Sequence, residues 1–212
     1  MLREQSIKLD RLKALMQASG WDAVYLKRQD SFAWLTCGGR NYVGPGETGN
    51  CGLLVTKDKL YAITNNIEAP RMVNEEKLEE KGFKTLYGPW HDNGFEKRTI
   101  ESLVPSRLVG YDTSNALEAI KLLRFDLTEE EIERYRKNGE DASLALEGAA
   151  LRIEKGSTEF QACSLIVQAM QAKGFETLSV FAAGDDRITS YRHAVPAENV
   201  INKRAQLGGN FR

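Results

Sequence analysis

The sequence predicts an α/β protein in two parts. A layered α/β domain with a mixed sheet spans residues 1–126, and a second unit over 127–212 opens on a long helix. Three observations carry this reading. Short β-rich runs alternate with amphipathic stretches through the first part, the pattern of helices layered on a sheet. The polar turn Lys57-Asp58-Lys59 between apolar runs at 53–56 and 60–64 marks a hairpin, so the sheet is mixed rather than wholly parallel. Thr128 with Glu131 three residues on forms a capping-box signature. Behind it Ile132, Tyr135, Ala142, Ala145, Leu146, Ala149 and Ile153 recur at helical spacing.

Taken in order, residues 6–19 read as a helix with Ile7, Leu9, Leu12, Leu15, Met16 and Ala18 as its buried stripe and Gly20 as its stop. A β-rich run follows at 23–27, and an aromatic and apolar stretch leads to the glycines at 38 and 39. The segment 38–52 carries seven glycines and prolines and reads as a turn-rich connection. It lacks the lysine-hydroxyl ending of a phosphate loop and does not pass from a strand straight into a helix. Residues 67–81 read as a charged helix, 83–87 as a strand, 91–103 as a helix and 107–112 as a strand. A helix capped by Ser114 or Asn115 closes the first part. In the second, 128–156 is one helix and Ser157-Thr158-Glu159 opens another carrying Phe160, Ala162, Ile166, Val167 and Met170. A strand at 178–183 then leads through Gly184 into a polar loop ending at His193 and Pro196.

Composition narrows the class of function. Of 212 residues, 29 are basic and 30 acidic, for a net charge of −1, and no basic block is longer than two residues. That leaves no footprint for nucleic acid or an anionic membrane. The 42% hydrophobic and 28% charged shares are those of a soluble globular protein. Cys37, Cys51 and Cys163 are odd in number and widely spaced, so they read as reduced thiols rather than a disulfide frame or zinc site. With an amphipathic amino terminus and no long apolar run, the expected location is the cytoplasm.

Two stretches resemble a known family. "RLKALMQASGWDAVYL…SFAWLTCGG…GLLVTKDKLYAIT" is similar to the amino-terminal domain of creatinase, prolidase and aminopeptidase P. "LTEEEIERYRKNGEDASLALEGAALRIEKGSTEFQACSLIVQAMQAKGF", followed by "FAAGDDRITSYRHAVP", resembles the opening of the pita-bread metallopeptidase domain, with its G-x-[ST]-E and H-x-x-P elements. The resemblance implies a ribonuclease-H-like first domain, an incomplete α+β pita-bread domain after it, and a homodimer. It also implies a family activity, metal-dependent cleavage of Xaa-Pro bonds in small peptides. His193 matches the histidine of H-x-x-P, which in active relatives helps to position the substrate or stabilise the intermediate and is not a metal ligand. Asp185, Asp186 and Arg187, on the loop after the strand, are the candidate substrate contacts.

The match then breaks off. Two aspartates, a histidine and two glutamates should follow His193 to hold two divalent ions (Mn, Co or Zn). Instead Glu198 is the only acid beyond residue 193 and no histidine follows. No metal ligand is therefore assigned in this chain, and the expectation is a truncated, inactive peptidase homologue. The alternative is a non-catalytic relative that keeps the fold for binding or dimerisation. His193 retains a second reading as an ordinary loop histidine, Asp185 and Asp186 as turn-formers bonding their own backbone, and His91 is taken as a capping or surface residue. Glu129 to Glu131 are explained by the helix start. Trp21, Trp34 and Trp90 are expected in a core or at a domain interface.

Overall fold

The computed structural model describes residues 2–212, which form two compact units: the first ends at Glu131 and the second is Ile132–Arg212. In the first, α1 (Arg3–Ser19) is followed by β1 (Ala23–Arg28), α2 (Gln29–Leu35), β2 (Thr48–Thr56), β3 (Leu60–Asn65), α3 (Ala69–Asn74), β4 (Phe83–Gly88), α4 (Phe95–Leu103), β5 (Val109–Tyr111) and α5 (Leu117–Leu123). The five strands make one sheet in the order β4-β3-β2-β1-β5. β1 runs parallel to β5 and β3 parallel to β4, while β2 is antiparallel to both of its neighbours. The sheet is mixed, as the 57–59 turn required.

Alternation along the strands sends apolar side chains to both faces. Val24, Leu26, Leu53 and Val55 meet Leu9, Leu12 and Met16 of α1, Phe32 and Leu35 of α2, and Ile120 of α5. Ala23, Tyr25, Leu54 and Ile63 meet Ile100 and Val104 on and just after α4. Between them, the strand order breaks register at Lys27, where a bulge separates the Leu26 and Arg28 pairings. Both freed amides, of Lys27 and Arg28, donate to the buried Asp112 carboxylate at 2.9 Å. Burial pushes that carboxyl above its ordinary range, with the two amides pulling the other way.

Lys8 departs from the expected stripe. It is fully buried on α1, while Ala18 is exposed and Ile7 only half-buried. Its three ammonium donors are all used: Glu4 Oε1 at 2.5 Å, the Trp34 carbonyl at 2.7 Å and Glu131 Oε1 at 2.8 Å. The Trp34 ring lies 5.5 Å away. Glu131 accepts the Thr128 amide while Thr128 Oγ1 accepts the Glu131 amide, so the capping box forms as read. This first turn of the long helix, α6 (Glu129–Ala150), is why the first compact unit ends at Glu131, within the helix rather than at the expected 126/127.

Other expectations need correction. β2 begins at Thr48, inside the stretch read as a loop. Gly49 and Gly52 are tolerated there because Asn41 and Tyr25 occupy the space a Cβ would need. The helix read over 67–81 is only Ala69–Asn74: Lys77 takes a left-handed conformation, which turns Leu78 into the core. Asn115 does not cap α5; its amide group bonds the Tyr111 amide and the Val109 carbonyl. Trp34 is in the core and Trp21 packs against it, but Trp90 is 62% exposed. Among the described residues no helix is long and apolar enough to cross a membrane.

Lys8→Ala would leave Glu4 and Glu131 facing each other without their cation, an arrangement that costs about 3 kcal/mol or more. Urea unfolding followed by fluorescence of the buried Trp34 should show this loss, and a cost below about 1 kcal/mol would mean the pair of carboxylates finds other partners.

Candidate functional site

The second unit places the candidate residues on a small frame. α6 and α7 (Glu159–Ala172) pack on one face of an antiparallel pair, β6 (Thr177–Gly184) and β7 (Ala205–Phe211). Only the later turns of α6 supply its core. Ala145 and Ala149 are buried with Ile166 and Met170 of α7, whereas Ile132 and Tyr135, read as part of the buried stripe, are exposed. α7 opens with the capping box of Thr158 and Gln161, and Phe160 lies outside its buried face, 52% exposed. Val180, Ala182 and Leu207 turn toward the helices. By alternation Ser179 and Phe181 turn the other way, opposite Asn210 and Gly208.

His193 belongs to this open face. Exposed to solvent, its ring meets Phe181 edge-on with centroids 6.3 Å apart. Phe181 lies flat enough on β7 that a Cβ at Gly208 would approach its ring to 2.5 Å, so the glycine sets the seat on which the Phe181 and His193 rings rest. Asn210 Nδ2 donates to Ser179 Oγ at 2.9 Å on the same face. His91 lies elsewhere, in the first unit, exposed and edge-on to Trp90.

The loop residues singled out in the sequence have internal partners. Asp185, in a left-handed conformation, accepts the amides of Asn202 at 3.0 Å, Lys203 at 2.8 Å and Arg204 at 3.1 Å. The Arg204 amide, then those of Asn202 and Lys203, hold its carboxyl below the usual carboxylate range. Arg187, on the single turn α8 (Arg187–Ser190), donates through Nε to Glu159 and through its terminal nitrogen to the Val195 carbonyl at 2.7 Å, and it stacks on Tyr191. Asp186 is exposed; its carbonyl accepts the Thr189 and Ser190 hydroxyls.

Sequence reading passed over Glu159 as a site residue. It is 0% exposed, and its carboxylate gathers three donors: Gly184 N–H and Arg187 Nε at 2.9 Å on Oε1, and Ala197 N–H at 3.0 Å on Oε2. The Gly-Ser-Thr-Glu run signalled a helix start, where an acid is favourable for the dipole alone, and a G-x-[ST]-E element, without giving the acid a role of its own. Nothing local announces that this one is buried.

Two divalent ions would need several hard oxygen or imidazole donors converging on each. Among the described residues no three His, Cys, Asp or Glu side chains are grouped so as to hold a metal ion. Glu198, the one acid after His193, is exposed. The donor set among the described residues does not fit a dinuclear centre; this face presents the His193 imidazole and the Phe181 ring.

No protein-family model matches the sequence, and no curated protein matches it. Solved structures do. The chain is similar to an Xaa-Pro dipeptidase from Bacillus anthracis at 17% identity and a TM-score of 0.64, covering 98% of this chain and 60% of that one. It is similar to an X-prolyl aminopeptidase from Caenorhabditis elegans, a cytosolic enzyme with a di-nuclear active site, at 13% identity and a TM-score of 0.61, over 93% of this chain and 37% of that one. It is also similar to the N-terminal domain of FACT complex subunit SPT16 from Cicer arietinum (chickpea), at 12% identity and a TM-score of 0.60, over 100% of this chain and 64% of that one. At these identities the likeness shows the fold, which is the one the sequence resemblance implied. The chain spans 60% of the length of the Bacillus dipeptidase.

Because the Asp185 carboxyl titrates lower in the fold than in the open chain, its contribution to stability is fully present above the unfolded value of about 3.9 and is lost as pH falls through the lower folded value. Asp185→Asn should therefore lower the urea midpoint of the second unit by a constant amount between about pH 5 and 8, with the gap closing only below about pH 4. A gap that closes near neutrality would point to a different group.

Proposed function

We propose that this chain is a homologue of the Xaa-Pro aminopeptidase and prolidase type that contacts proline-containing peptides through the open β6–β7 face, without cleaving them through the described residues. The observation that carries this is the near-complete match of the chain to part of an Xaa-Pro dipeptidase, with His193 on the face that the helices leave open. In this reading His193 and Asp186 meet the peptide, and the Asp185 and Arg187 side chains shape the loop from within. A location in the cytoplasm is part of the proposal.

A second reading has its own support. The match of this chain to 64% of the N-terminal domain of a FACT complex subunit, together with the absence of a donor cluster among the described residues, favours a module that binds without cleaving. The two readings part on the ligand. Ala-Pro should shift the His193 imidazole resonances while Ala-Ala at equal concentration does so less, and His193→Ala should abolish the effect. No turnover is expected with or without added manganese. Equal response to both dipeptides would favour the binding module, and metal-dependent turnover by the 212-residue chain would overturn both readings.

Self-association follows from the same unit. Among the described residues β6 and β7 pair only with each other, so each has an outer edge without a strand partner. Leu144, Leu151, Phe160 and Leu178 are each more than half exposed. The proposed homodimer should appear as a species of at least twice 23.8 kDa in sedimentation equilibrium. A monodisperse monomer at high concentration would remove it.

A further inference from the structure

We propose that Glu159 and Arg187 form a positioning pair that holds the segment 191–197, and His193 with it, in place over Phe181. Arg187 serves here as a brace rather than a ligand contact. The functional value of this placement rests on the reading of His193 given above; the placement itself does not.

The argument is geometric. The loop leaves the sheet at Gly184 and returns past Pro196, and both ends are tied to one carboxylate. Gly184 N–H binds Glu159 Oε1 and Ala197 N–H binds Glu159 Oε2. Arg187 closes the span between them, with Nε on Glu159 Oε1, a terminal nitrogen on the Val195 carbonyl, and its guanidinium 5.2 Å from the centre of the Tyr191 ring. Glu159 opens α7 fully buried, whereas the next residue, Phe160, is exposed. Meanwhile Tyr191, His193 and Val195 remain exposed, and Ala194 between the last two is buried. The segment is thus anchored by its backbone and by Ala194 while its larger side chains face outward. Charge-assisted bonds to a desolvated carboxylate are strong enough to fix a loop that has no regular structure of its own. The planar Arg fork presents separate nitrogens to the carboxylate and to the carbonyl in a fixed geometry, which the single ammonium of a lysine does not.

The test is made without ligand, so that its outcome is independent of the peptide experiment. Glu159→Gln keeps the shape but turns one acceptor into a donor. Since Oε1 faces two donors and Oε2 faces one, the amide nitrogen settles toward Ala197 and frees that N–H, while Gly184 stays bonded. Arg187→Met should release the Val195 carbonyl but leave both amides on Glu159. We expect hydrogen exchange over 191–199 to rise at least about tenfold in each variant, with the α7 core amides unchanged. The His193 ring resonances should move toward those of an unstructured histidine. Exchange unchanged over 191–199 would overturn the proposal. So would an equal rise throughout α6 and α7, which would make Glu159 a general strut of the unit. If Glu159→Gln does not fold, Arg187→Met, which alters a half-buried side chain, decides by the same criteria.

Discussion

A carboxylate taken wholly out of water must have its oxygens answered by donors, and this requirement organises the second unit. Glu159 finds its donors at Gly184, Arg187 and Ala197, three points that the chain brings together only after β6 has paired and turned. The helix start, the end of the strand and the return of the loop are therefore fixed by one side chain. The first unit uses the same economy with opposite sign. There the buried ion is the Lys8 ammonium, and its partners come from α1, the end of α2 and the head of α6. In each unit the polar hub lies where separate elements meet, and the apolar clusters fill the space between them.

Much of the fold was legible because it rests on local chemistry. Gly20 ends α1 in the left-handed conformation, with the Trp21 amide closing back on the Met16 carbonyl. Thr128 caps as its spacing to Glu131 suggests, and the Ser157-Thr158-Glu159 run opens α7 as read. What escaped depends on partners distant in sequence. Gly49 and Gly52 look like loop residues until Asn41 and Tyr25 are seen to fill the space beside them. Ile132 and Tyr135 continue a helical stripe yet are exposed, because the part of the helix that packs in its own unit starts near Ala142. Glu159 and Lys8 look like surface charges, since no periodicity distinguishes a charge on the wet face from one that has found its counter-ions.

The candidate site shows the same division. His193 could be named from the His-Ala-Val-Pro run, but its seat on Phe181, and the dependence of that seat on Gly208, exist only once β6 and β7 are in register. The Asp185-Asp186-Arg187 run read as one polar cluster with one purpose. In the fold its members face three different ways: Asp185 to the backbone of 202–204, Arg187 to Glu159, and Asp186 to solvent. A run of charges in sequence is not a site until geometry decides which of them are spent on the protein itself.

The Asp112 contact has a consequence for how the molecule is made. The amides it satisfies, at Lys27 and Arg28, precede it by 85 and 84 residues. During synthesis β1 can pair with β2 early, but its bulge remains uncapped and its other edge bare until β5 leaves the ribosome. Closure of so long a loop is entropically slow and is rewarded only at the end. The β1–β5 side of the first unit can therefore be completed only after the rest of its sheet. From the synthesis of β1 until Asp112 emerges, the nascent chain carries an open sheet edge that the cell must keep from pairing with the wrong partner.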